Sequence, residues 1–132
     1  KQKRILDRLF VPAYMLTIGT EKIFVEIAST TEKRVKGLSN RNSLPKETGL
    51  LFVFDHPGAL GIWMKDMFFP IDIYWFDKDF KLVDKRLSVE VATYPNVFFP
   101  KKESLYVLET PVGLLRDMSL TDNLTGELTL VQ

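Results

Sequence analysis

The chain contains no cysteine and one histidine, His56. Disulfides, thiolate metal sites and cysteine nucleophiles are therefore excluded. A histidine-based zinc site needs more ligands than one imidazole. A Ser–His–Asp triad would have to use His56. That residue lies in the turn-like Asp55-His-Pro-Gly58, and no serine sits on a G-x-S-x-G elbow. An excess of one charge is also missing: 18 basic residues face 17 acidic ones, for a net charge of +1. That balance leaves no electrostatic footprint for nucleic acid, and the basic residues do not interleave with aromatics as a stacking platform requires. No run reaches the roughly 18 apolar residues of a transmembrane helix. The seven glycines are scattered and form neither a P-loop nor G-x-G-x-x-G. No repeat or low-complexity segment is present.

What is abundant is apolar material: 45% of the 132 residues are hydrophobic and 12% aromatic, with ten phenylalanines. A chain of this length buries roughly two-thirds of its unfolded surface, so a core forms without covalent staples. Residues 13–132 are expected to form a single soluble globular domain. Residues 1–12 read as a basic lead, with Lys1, Lys3, Arg4 and Arg8 opposed only by Asp7. Such a lead is either a solvated tail or the stretch left behind by a removed signal or anchor.

Short period-2 segments dominate. Residues 13–18 and 22–27 flank the turn signal Gly19-Thr20 and predict an opening hairpin. Ser29 and Glu32 have capping-box spacing, predicting a short helix over 31–38 that closes at Gly37 or Asn40. Strands follow over 50–54, 62–65, 71–76, 80–87, 105–108 and 127–131. A turn is expected at Asp55–Gly58, another at Asp77–Asp79, and a long loop at Thr93–Lys102. Thr110-Pro111 resembles an N-cap with proline at the first helical position, predicting a second short helix over 111–116. No βαβ alternation is visible. The expected fold is mostly β: a small antiparallel sheet or partly closed barrel with one or two short helices.

The run Gly61–Ile73 organises the domain and holds the most informative charges. Lys65 follows Trp63-Met64, and Asp72 lies between Ile71 and Ile73. Alternation puts Ile71, Ile73 and Trp75 on one face and Asp72, Tyr74 and Phe76 on the other. A carboxylate among aromatics is either paired internally, with Lys65 or an arginine, or turned into a site. In the second case Arg34, Arg41, Lys65, Asp66, Asp72 and Glu109 would meet a polar ligand beside the apolar wall of Trp63. The exposed-loop aromatics Phe98-Phe99 either tuck onto the core or meet a partner.

These residues carry a family pattern. Thr31-Glu-Lys-Arg34, Gly37-Leu38, Arg41, Leu44, Gly49-Leu-Leu-Phe-Val-Phe54, Trp63-Met-Lys65, Pro70-Ile-Asp-Ile73, Asp77 and Val107-Leu-Glu109 resemble the bacterial and archaeal family called domain of unknown function 192. The likeness runs from about residue 22 to 128, and Trp-Met-Lys…Pro-Ile-Asp-Ile is its most specific block. It implies a family without an established biochemical role, many of whose members look like exported or membrane-anchored envelope proteins. The family's charged positions fall on Arg34, Arg41, Lys65, Asp72 and Glu109. The chain departs from the pattern at Ser39, at Asp66-Met67 and at Ser104-Leu105, where the family commonly has Ala-Arg. It departs again at Phe80, where the family has a turn glycine. A bulky residue at positive φ is costly, so a different turn type is expected there.

The functional expectation is a non-enzymatic module that binds a small polar molecule, a glycan or a protein; the family resemblance implies an extracytoplasmic or membrane-anchored location, with a cytoplasmic one left open. No cofactor, metal or nucleic acid is implied. The alternative is a hydrolase of envelope glycans using two of Asp66, Asp72 and Glu109, which would have to stand about 5–9.5 Å apart across a cleft.

Overall fold

The computed structural model describes residues 14–45, 47–115 and 125–130. The basic lead over 1–12, the first residue of the expected strand 13–18, the last of the expected helix 111–116 and the last of the expected strand 127–131 lie outside them. The described residues form nine strands: β1 (Tyr14–Ile18), β2 (Glu21–Ala28), β3 (Thr48–Gly58), β4 (Ile62–Trp63), β5 (Ile71–Phe76), β6 (Leu82–Val89), β7 (Val97–Phe98), β8 (Ser104–Pro111) and β9 (Gly126–Leu130). Among the described residues one α-helix, α1 (Thr31–Lys36), accompanies them, together with a single 3₁₀ turn at Val91–Thr93. The mostly β class is therefore as expected. No helix among the described residues is long and apolar enough to cross a membrane.

Seven strands form one sheet in the order β6-β5-β8-β3-β2-β1-β9, and β4 pairs with β7 in a separate ribbon. β1 and β2 form the expected hairpin. The sheet curls until its two edges touch at one corner, where Lys81 bridges Thr125 and the Gly126 N–H donates to the Phe80 carbonyl at 2.8 Å. Beyond that corner β6 and β9 are unpaired with each other, so the barrel stays open.

Three expectations about the backbone need correction. First, β2 and β3 are parallel and α1 lies in their connection, so one βαβ crossover exists. Its helix has only six residues and no fully buried one, too little for a 3.6-residue period to show. Thr30, not Ser29, caps it: the Thr30 hydroxyl accepts from the Lys33 N–H at 3.1 Å. Gly37 ends it at φ 49°.

Second, Asp55–Gly58 is no separating turn. β3 continues through it with a bulge, pairing with β8 at Val53↔Tyr106 and again at Gly58↔Ser104. Turn-forming residues also suit a bulge, because neither needs ladder pairing.

Third, residues 112–115 form turns and no helix, and Gly113 stands at φ 83° with its N–H on Asp72.

Phe80 also corrects its expectation, since it does adopt positive φ, at 62°. Its ring stacks on Tyr106 at 4.3 Å and meets Phe76 edge-on at 5.2 Å. Two aromatic pairs of about 0.5–1.5 kcal/mol each offset a left-handed penalty of roughly 1–2 kcal/mol.

The sheet buries both faces. Ile71, Ile73 and Trp75 of β5 join Leu50, Phe52 and Val107 in a core under α1, β4 and β7. Tyr74 and Phe76 join Leu16, Val25, Leu51 and Leu108 in a second core inside the curl. The division of β5 follows the alternation read from the sequence.

Candidate functional site

A cavity of about 500 Å³ lies on the first of these faces, roofed by α1 and the residues after it and bounded by β4. Its apolar lining comes from Leu38, Phe52, Ile62 and Met67, which the residue pattern marks as core. Gly37 belongs to the same wall. A Cβ there would approach the Phe52 ring to 3.2 Å, so glycine serves both the helix end and the close packing beneath it. At the mouth, Gly61 permits another close approach: a Cβ would meet Val97 and Phe99 at 2.7 Å.

Glu109 is the one acidic side chain lining this cavity among the described residues. In the sheet it occupies the row Leu50–Glu109–Ile73, apolar on both sides. It is 4% exposed. No hydrogen bond or ion pair reaches its carboxyl among the described residues, and burial alone pushes its pKa up to about 8. Near neutrality the group is mostly protonated, a donor and acceptor facing an apolar space.

Arg34 also lines the cavity but is already engaged. Its guanidinium donates to the Ser29 carbonyl at 2.7 Å, the Val53 carbonyl at 2.9 Å and the Thr31 hydroxyl at 3.4 Å. It lies 3.7 Å from the Asp55 carboxylate and 5.1 Å above the Phe54 ring. These contacts bind the short helix to β3. Trp63 is half exposed at the mouth, 5.3 Å from the Tyr94 ring, with the Lys65 ammonium 5.6 Å over its face.

The remaining residues singled out from the sequence do not line the cavity. Arg41 makes a two-pronged contact to Glu26 at 2.8 and 2.9 Å, and that carboxylate raises its pKa. Asp66 is exposed at φ 58°, with its carbonyl accepting from the Asn40 N–H.

Asp72 is buried on the opposite face from Glu109, lines no part of this cavity and, among the described residues, makes no ion pair. Its two oxygens accept from the Ser88 N–H at 2.7 Å and the Gly113 N–H at 2.8 Å. Ser88 stands at φ 53° where the β5–β6 register slips, and Gly113 in the turn after β8. Asp72 thus ties two irregular backbone segments to β5. Its charge and the surrounding burial push the Tyr74 phenol upward, burial being the larger cause.

A carboxylate pair for glycan hydrolysis is absent from the cavity. Asp72 and Glu109 are separated by the sheet, and Asp66 points its chemistry to solvent. Nor does any group of three acidic or histidine side chains able to hold a metal ion occur among the described residues. The sequence does not reveal the apolar lining, because ligand walls and core share one composition. It does carry a signal for Glu109, as a carboxylate ending an otherwise apolar strand.

Comparison with known proteins agrees with the pattern. The family described as Uncharacterized ACR, DUF192, matches residues 14–125. A UPF0127 protein of Thermococcus gammatolerans is 34% identical over 103 residues, and one of Thermococcus kodakarensis is 31% identical over 102. These matches cover 74% of this chain and 61% and 60% of the relatives, so the chain spans about three-fifths of their length.

Two solved structures share the fold. A protein of unknown function from Novosphingobium aromaticivorans superposes with a TM-score of 0.73 at 22% identity, covering 87% of this chain and 83% of that one. A protein from Sinorhizobium meliloti, described as a candidate transcription regulator, gives 0.76 at 21% identity, with 89% and 96% covered. With the signature block, the profile match and the shared fold in agreement, this chain belongs to the domain of unknown function 192 family.

Proposed function

We propose that this domain is a small-molecule binding module, and that the cavity over Glu109 is its site. One observation carries the reading: a cavity of about 500 Å³, walled in part by Leu38, Phe52, Ile62 and Met67, holds a single carboxyl, that of the 4% exposed Glu109, which receives no hydrogen bond or ion pair from any described residue. The carboxyl oxygens open onto the cavity, where a bound ligand would supply the partner that the fold does not. The volume falls within the roughly 300–1,000 Å³ of small-molecule pockets, whose usual make-up is apolar walls with a few polar groups. Trp63 supplies an aromatic wall at the mouth, and Arg34 holds the roof in place. With one carboxyl and no second acidic side chain on the described lining, the site suits binding better than catalysis by a carboxyl pair.

A protein partner is the second reading. Trp63, Tyr94, Val97 and Phe99 are exposed together beside the mouth, through the β4–β7 ribbon and the Gly61 contact. Apolar side chains gathered in this way commonly mark interaction surfaces.

The test is a fragment screen by two-dimensional NMR on the intact chain. Binding should move the Trp63 indole N–H and the Met67 methyl together. Fragments that shift only the Val97–Phe99 surface would favour the second reading, and a library that moves none of these signals would sink both.

A further inference from the structure

The contents of the cavity narrow the ligand class, on the premise that the cavity binds small molecules. The inner end offers one polar group, the Glu109 carboxyl, between Leu50 and Ile73 of the neighbouring strands. Of the two cations on the lining, Arg34 is held by Ser29, Val53, Thr31 and Asp55. A ligand anion would therefore find no free donor at the inner end except a protonated Glu109, whereas a ligand cation would find an uncompensated carboxylate. The outer end is reversed. Lys36 lines the cavity from the exposed end of α1, and Lys65 stands over Trp63 at the mouth. The buried Leu38, Phe52 and Met67 give the lining its apolar part.

We infer that the cavity takes an ω-amino carboxylate: its ammonium head seated on Glu109, its apolar chain along Leu38, Phe52 and Met67, and its carboxylate at the mouth among Lys36 and Lys65. An aliphatic ammonium stays charged near neutrality. Binding then converts the Glu109 carboxylic acid and the ligand ammonium into an ammonium–carboxylate pair, and one proton passes from Glu109 to solvent.

No other titrating group competes for that role. The charged groups facing Glu109 across the cavity are Arg34 and Lys36 on α1. β3 and β5 present Leu50, Phe52 and Ile73, and β4 presents Trp63. Glu26, two strands away along the same row, is held by Arg41.

The experiment uses the intact chain with 6-aminohexanoate, hexanoate, hexylamine and hexanol as probes. Titration calorimetry is run in two buffers of different ionisation enthalpy, and the Trp63 indole N–H is followed by NMR. 6-Aminohexanoate should bind at least about tenfold tighter than hexanoate or hexylamine. Its affinity should rise close to tenfold per pH unit between about pH 6 and 7.5, with nearly one proton released at pH 7. Glu109→Gln should remove the pH dependence and the preference over hexanoate, with thermal melting confirming that the variant folds.

Equal binding of hexanoate, or a pH-independent affinity for 6-aminohexanoate, overturns this inference. Hexanol binding alone overturns it while leaving the cavity reading intact, and silence from all four probes overturns both. The wild-type pH profile decides the matter even if the variant fails to fold.

Discussion

Asp72 and Glu109 are both buried carboxyl groups on the same sheet, one strand apart in the β5–β8 ladder and on opposite faces. Their surroundings differ completely. Asp72 accepts two short backbone N–H bonds, while Glu109 has none from the described residues and looks into a cavity. Burial alone therefore does not mark a site. The distinction lies in whether the fold itself supplies the hydrogen-bond partners. Asp72 is consumed by architecture, joining a register slip in β6 to the turn after β8. Glu109 is left with open polar capacity, the kind of group a ligand completes.

The largest test of this contrast is Asp72→Ala. Removing the acceptor strands two N–H groups in irregular backbone and loses two charge-assisted bonds. A loss of roughly 3–5 kcal/mol in urea unfolding is expected. A loss below about 1 kcal/mol would make the two carboxyls equivalent.

Glu109 should behave oppositely. Its pKa rises from 4.5 to about 8 on folding, so between those values the folded chain holds a proton that the unfolded chain has released. The contribution of Glu109 to stability is then greatest below about pH 4.5, falls as pH rises toward 8 and levels off above. The slope approaches 1.4 kcal/mol per pH unit, giving roughly 3 kcal/mol from pH 5 to 7.5. Urea titrations of wild type and Glu109→Gln across this range check it: the variant should lack the slope, whereas a shared slope would assign it elsewhere.

Arg41→Ala removes a half-exposed, two-pronged contact to Glu26, and about 1 kcal/mol is expected, with no change in probe binding at the cavity. Trp63→Ala should have the smallest effect on stability, within about 1 kcal/mol, because the ring is half exposed. Its effect should appear in weaker probe binding, measured in the same calorimetric titrations.

Much of this contrast is legible one residue at a time. The β5 alternation separates Ile71, Ile73 and Trp75 from Asp72, Tyr74 and Phe76, and the two cores follow that division. The apolar strand ending in Glu109 is equally visible. Arg34, Trp63 and Glu109 do meet at one cavity, while Arg41, Asp66 and Asp72 turn to other partners. Nothing local separates these groups, because a charge in an apolar strand has the same sequence neighbours whichever partner it finds. Phe80 shows the same limit: its backbone penalty is local, but the rings that offset it come from β5 and β8.

By itself, the sequence determined the period-2 strands, their inward faces, a helix stop at Gly37 or Asn40 and the absence of cysteine chemistry. Each follows from residue type and spacing over a few positions. Tertiary structure alone decided that β2 and β3 run parallel with α1 over their face, that Asp72 meets Ser88 and Gly113, and that Glu109 meets an open cavity. Those outcomes depend on which distant backbone groups arrive beside a carboxyl. Strand alternation sets only the face on which that carboxyl waits.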